Sequence, residues 1–291
     1  MTDTPLSLRS GAETLAAPFP PLLAEAEHLA ATVLVGDHGR RRAGVGDTFW
    51  QYRPAQNHDG LRAIDWRRSA RSDAQFIQEK EWQIAQSVQL WVDGAASMSF
   101  ASTKDIPTKA ERARRLALAA AILLLRGGER VGLAGDTLPP RRGEAQLTQL
   151  ATLLSQDTDS DFGTPEASGL LRHSRALFIS DFLGDIETTE AALTRAADRD
   201  VRGALVQVLD PAEEAFPYDG RTIFESMSGS VTHETLKARD LRDRYLERLA
   251  ERKDRLATLA RATGWQVHTH HTDAPASAAL LWIYAALERR P

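Results

Sequence analysis

The sequence predicts an α/β protein: a doubly wound, mostly parallel sheet with an N-terminal helix and a short β/turn-rich segment. Three observations carry this. Five short apolar runs, each of a length that suits a buried parallel strand, recur from residue 88 onward. Helical patterns fill the gaps between them, as alternating α/β chains require. The first run ends on Asp93 and passes at once into a small, hydroxyl-bearing turn, Asp93-Gly-Ala-Ala-Ser-Met98. A sheet of this kind presents its ligand-binding loops in that way, at the carboxyl ends of its strands.

Taken in order, residues 1–18 read as a loose leader, and 19–34 have helical spacing opened by prolines in the first turn. Over 36–72 the composition shifts to glycine, arginine and aromatic residues with little helical periodicity, which predicts turns and short strands. The predicted strands are 88–92, 130–134, 176–179, 204–209 and 266–270. The predicted helices are 109–126, 144–155, 165–173, 186–198 and a long one over 234–262, and 221–225 with 230–233 can form a hairpin insertion. The division expected is a leader and helix over 1–35, an Arg/Trp-rich segment over 36–84, and the α/β domain over 85–291.

Composition narrows the function classes. The 291-residue chain has a formal charge of −4, which favours neither a nucleic-acid binder nor a membrane-surface protein. Cysteine is absent, so disulfides, thiolate metal sites and cysteine nucleophiles are excluded. The N-terminus lacks the basic start and apolar core of a signal peptide. The apolar run 274–287 is broken by Pro275 and Ser277 and is shorter than the roughly 20 residues that span a bilayer. A cytoplasmic protein without membrane insertion is expected.

Two motifs carry a resemblance. Gly44-Val-Gly-Asp-Thr-Phe49, Tyr52 with Arg53, and then Arg62, Ile64-Asp65-Trp66 and Ala70-Arg71 are similar to the signature of the domain-of-unknown-function-58 family. The run Asn57-His-Asp-Gly60 departs from the family's Gly-Asp, so no role is carried to Asp59. In that family the signature precedes a von Willebrand factor A-like domain, and Asp93-Gly-Ala-Ala-Ser97-Met resembles the metal-ion-dependent adhesion motif of such domains, Asp-x-Ser-x-Ser-Met, with Ala95 in place of the first serine. The resemblance implies a Rossmann-type fold, a non-enzymatic adaptor or chaperone-like role beside a MoxR-type AAA+ ATPase or its client, and a Mg2+ site. Its ligands would be Asp93, Ser97, Thr164 in Phe162-Gly-Thr-Pro165 and Asp181 in Ile179-Ser-Asp-Phe182. Magnesium suits such a set because it takes near-octahedral oxygen ligands and keeps waters. Ala95 supplies no oxygen and weakens the site. The alternative is that Asp93 and Asp181 cap helices and bond backbone amides.

Other features invite different chemistry. Asp157-Thr-Asp-Ser-Asp161 opens like an EF-hand loop, but Phe162 stands where glycine is needed and Ser168 where a bidentate glutamate is needed. Between Gly36 and Ser72, eight arginines and four aspartates mix with Trp50, Tyr52 and Trp66. Such a mixture can bind nucleic acid over the stretch from Arg40 to Arg71. The interspersed acidic residues favour a structural role instead, with Asp65 pairing a nearby arginine and Trp66 anchoring the segment against the A-like domain. His268 and His270 share a face of the last strand without an identifiable third metal ligand. A metal-dependent hydrolase is the remaining alternative, though no Gly-x-Ser-x-Gly elbow accompanies Ser97.

Overall fold

The computed structural model describes residues 4–17, 43–55, 64–70, 75–81, 86–225 and 232–288. They belong to two compact units, 1–26 with 86–291, and 27–85. The helix expected over 19–34 lies outside the described residues, as do Arg40, Arg41, Arg42, Arg62 and Arg71.

The stretch read as a loose leader is a helix, α1 (Pro5–Ala16). Thr4 caps it by accepting a hydrogen bond from Ser7 N at 3.3 Å, and Pro5 pre-sets the first turn. Its fully buried face, Leu8, Ala12 and Ala16, ties it into the core of the larger unit.

In the smaller unit, β1 (Ala43–Pro54) and β2 (Phe76–Glu81) pair antiparallel, with register shifts between Gly44 and Gln51. A one-turn helix, α2 (Trp66–Ser69), sits between them in sequence. Asp65 starts this turn: its carboxylate accepts from Arg67 N at 3.1 Å, and Ser69 Oγ donates to its carbonyl at 2.8 Å. Ser69 Oγ in turn accepts from Phe76 N at 2.9 Å, which joins the turn to β2. Trp66 is 56% exposed. The buried anchors are Ile64 and Ile77, which form an isolated antiparallel bridge.

The larger unit is doubly wound, and its sheet is wholly parallel. Its strands are β3 (Ser87–Val92), β4 (Arg130–Leu133), β5 (Arg175–Ser180), β6 (Arg202–Leu209) and β9 (Gln266–His271), in the spatial order β4-β3-β5-β6-β9. All five coincide with predicted strands to within two residues at either end. Side chains alternate across the sheet as the two-residue period demands: in β5, Leu177 and Ile179 enter one core, while Ala176 and Phe178 enter the other.

On the first face pack α1, α3 (Lys109–Arg126), α4 (Glu144–Leu154) and α8 (Ala276–Glu288). The central helix α3 is buried on nearly all sides, which explains its Leu116-Ala-Leu-Ala-Ala-Ala-Ile-Leu-Leu124 run. On the second face α5 (Ile186–Ala197) and α7 (Arg239–Thr263) cover Phe178, whose ring meets Trp91 edge-on at 5.6 Å and Trp265 at 4.9 Å. A short helix, α6 (Pro211–Ala215), follows β6 directly. The hairpin insertion is present as β7 (Thr222–Glu225) and β8 (Thr232–Thr235), so the long helix starts at Arg239 rather than at Glu234.

The helix predicted over 165–173 does not form. Gln89, on β3, captures that backbone instead: its Nε2 donates to Gly169 O at 3.0 Å and its Oε1 accepts from Leu171 N at 2.6 Å. Arg199 donates to the carbonyls of Ser168 and Leu170 at 2.8 and 2.7 Å. With its polar groups satisfied from outside, the segment needs no helix.

Candidate functional site

The strand order makes a switch point between β3 and β5. The chain leaves β3 for β4 on one side, and β5 lies on the other, so a crevice opens above their carboxyl ends. Asp93 follows β3 there and Asp181 follows β5, both 1% exposed.

Asp93 is a structural hub. Its Oδ1 accepts from Ala95 N at 2.8 Å and its Oδ2 from Ser180 Oγ at 2.7 Å, and Gly163 N also donates to the carboxylate. Burial raises the Asp93 pKa above the ordinary carboxylate value. The donors of Ser180, Ala95 and Gly163 oppose that shift, and the negative charge of Asp181 adds to it. Gly163 comes so close that a Cβ there would lie 2.3 Å from the Asp93 carboxyl carbon.

The turn after β3 is stapled to the acidic loop 157–161 by backbone bonds. Thr158 N donates to Gly94 O at 2.9 Å, Ala96 N to Ser160 O at 2.9 Å, and Ser97 N to Asp161 O at 3.0 Å. Asp157 pairs with Arg114 of α3. The acidic run is therefore a brace for the site loop. Ser97 lies in a 3-10 turn (Ala96–Ser99), and its Oγ is buried without a hydrogen-bond partner. Thr164 is exposed, and Phe162 beside it is 44% exposed.

Asp181 has a partner that the sequence did not suggest. Lys109 Nζ donates to its Oδ2 at 2.8 Å and to Glu213 Oε1 at 2.6 Å, and the lysine side chain is 1% exposed. Asp181 Oδ1 accepts from Leu183 N at 2.9 Å. Glu213 is aimed by the capping box of α6, in which its Oε2 accepts from Asp210 N at 2.8 Å. Burial alone would lower the Lys109 pKa, but the carboxylates of Asp181 and Glu213 outweigh it and hold the ammonium above its ordinary value. Burial raises the Glu213 carboxyl, against the pull of Lys109. The direction that decides the chemistry is the lysine's: it is a charged ammonium shared by two carboxylates.

Two anomalies in the sequence could have exposed this pair. A cation in the first turn of a helix opposes the helix dipole, so Lys109 behind the Thr108 cap calls for a compensating anion. Asp210-Pro-Ala-Glu213 is a legible capping box that fixes a glutamate just after a strand.

The fit to a divalent ion can be judged from these contacts. Ala95 offers no ligand, each oxygen of Asp93 and Asp181 already accepts from a protein donor, and an ammonium lies 2.8 Å from Asp181 Oδ2. Ser97 Oγ is buried without a hydrogen-bond partner, and Thr164 is exposed. No group of three or more His, Asp or Glu side chains among the described residues could hold a metal ion. The donor set does not fit a directly bound Mg2+. The histidines of β9 are used in packing: His268 stacks on Trp282 at 4.9 Å, and His270 lies 2.9 Å from Arg112 Nη1.

Residues 51–255 match the family described as Protein of unknown function DUF58. The chain belongs to this family. Uncharacterized proteins of Mycobacterium tuberculosis and Mycobacterium bovis are each 27% identical to this DUF58 chain over 258 residues, covering 83% of it and 80% of the relative. A crystal structure of the conserved hypothetical protein BatB from Bacteroides thetaiotaomicron aligns with a TM-score of 0.40 at 15% identity, over 70% of this chain and 98% of that one. In the DUF58 signature, Ile64, Asp65, Trp66 and Ala70 fall among the described residues. No helix among the described residues is long and apolar enough to cross a membrane.

Proposed function

We propose that this DUF58 protein is a non-enzymatic protein-binding module, a von Willebrand A-like domain whose loop edge at β3 and β5 docks a MoxR-type AAA+ ATPase or its client. The observation that supports this is the construction of the edge. The turn 94–97, the braced loop 158–164 and the Asp181 loop are cross-linked by hydrogen bonds into one rigid rim that leaves Phe162 and Thr164 outward. Rigid loops with an exposed aromatic suit recognition.

Chemistry at the same place is disfavoured. Ser97 Oγ has no base bonded to it, and Asp93 and Asp181 are committed to protein donors. An activated nucleophile needs a base within hydrogen-bond reach.

The test is the equilibrium affinity of the full chain for the purified MoxR-type ATPase of the same cell. Phe162→Lys and Thr164→Lys weaken binding at least about tenfold, as charge placed in an interface centre does. Arg130→Glu, at the amino end of β4, leaves it unchanged. Equal binding by all three variants refutes the edge, and no binding by the wild type refutes the partner.

A further inference from the structure

We infer that Lys109 is the built-in cation of this edge: its ammonium, clamped between Asp181 and Glu213, does the work of a divalent ion and keeps one out. The inference deepens the reading of the edge as a docking surface, on which its functional consequence rests.

Three observations converge. First, the lysine comes from the first turn of α3, and it is among the largest fully buried side chains of the described residues. A buried ammonium persists only where carboxylates compensate it, and here two do so, at 2.8 and 2.6 Å. Second, Glu213 comes from outside the predicted ligand set. It is locked by its own capping box, so the lysine holds a bidentate position between two preset anions. Third, Ala95, 1% exposed, offers no side-chain oxygen beside Asp93. The positive charge at this edge is covalent, part of the chain itself.

The consequence is physical. A divalent ion within reach of Asp181 would sit beside an ammonium and be repelled by it, whereas removing the ammonium frees its two acceptors, Asp181 Oδ2 and Glu213 Oε1. Docking at this edge proceeds without a metal bridge, through the outward side chains alone.

Mn2+ is the probe, with free ion read by electron paramagnetic resonance on the full chain. The wild type takes up no stoichiometric Mn2+, and its melting temperature is the same in Mg2+ and in chelator. Lys109→Gln, which removes the charge and keeps a polar side chain, binds Mn2+ at least about 100-fold more tightly than the wild type. The gain disappears in the Lys109→Gln/Glu213→Gln double variant. Stoichiometric binding by the wild type that Asp93→Asn abolishes overturns the inference, as does a folded Lys109→Gln without gain. If the variant does not fold, the wild-type titration decides alone. No partner is present in this test, so a failure of docking leaves its result standing, and the reverse also holds.

Discussion

Replacing Lys109 with methionine keeps most of the side-chain volume and deletes the charge, leaving Asp181 and Glu213 buried around an apolar group. Both ion-pair contacts, at 2.8 and 2.6 Å, are lost, and the lysine they surround is 1% exposed, so solvent screens the leftover anions poorly. Breaking a buried pair by removing one partner costs about 3–5 kcal/mol. For a domain of this size each kcal/mol moves the melting temperature by about 2–4 °C, which gives a fall of about 6–20 °C. Urea denaturation at pH 7, followed by circular dichroism, measures the free-energy change directly. Adding Glu213→Gln to the Lys109→Met background removes one of the orphaned anions and recovers part of the loss, about 1–3 kcal/mol. A single variant within about 1 kcal/mol of the wild type, or a double variant no better than the single, would refute the assignment of Lys109 as a buried charge partner.

Gly163→Ala forces a Cβ to within 2.3 Å of the Asp93 carboxyl group, and the resulting displacement costs about 1–3 kcal/mol, read in the same urea assay. Leu8→Ala opens a cavity where α1 meets the core and costs about 2–5 kcal/mol; a neutral result would mean that α1 is not docked. His270, buried beside the Arg112 guanidinium, has its pKa pulled down to about 4 by burial first and by that charge second. The folded state thus resists a proton that the unfolded chain accepts at its ordinary value. Stability is retained above about pH 6.5 and falls as the pH drops from there to about 4. The full contribution is about 3 kcal/mol, and His270→Asn flattens this part of the pH–stability profile.

The sheet was legible because its strands are buried on both faces: continuous apolar runs such as Ala176 to Ile179 have no competing reading in so short a length. Asp93 and Asp181 were legible for the same reason, since a carboxylate that ends a buried strand has to lie at the sheet's edge. The misses have local causes. Pro165 followed by Leu170 and Leu171 imitates a helix start with an apolar face, and only the distant Gln89 shows why the backbone goes elsewhere. In α1 the buried positions after Leu8 are alanines, which give too faint a periodicity to mark the Thr4-Pro5 start as a helix. The Lys109 contacts span 72 and 104 residues to Asp181 and Glu213. No local pattern joins those residues; the parallel sheet does, by bringing the ends of β5 and β6 to the first turn of α3.

Amide hydrogen exchange on the full chain, with and without the MoxR-type ATPase, shows whether the β3/β5 loop edge is the docking surface. If it is, binding protects 94–100, 158–165 and 181–185 and leaves the amino ends of the strands, including 130–131 and 202–203, unchanged. Protection confined to those amino ends, or a complex that forms without slowing exchange in the three loops, would contradict it.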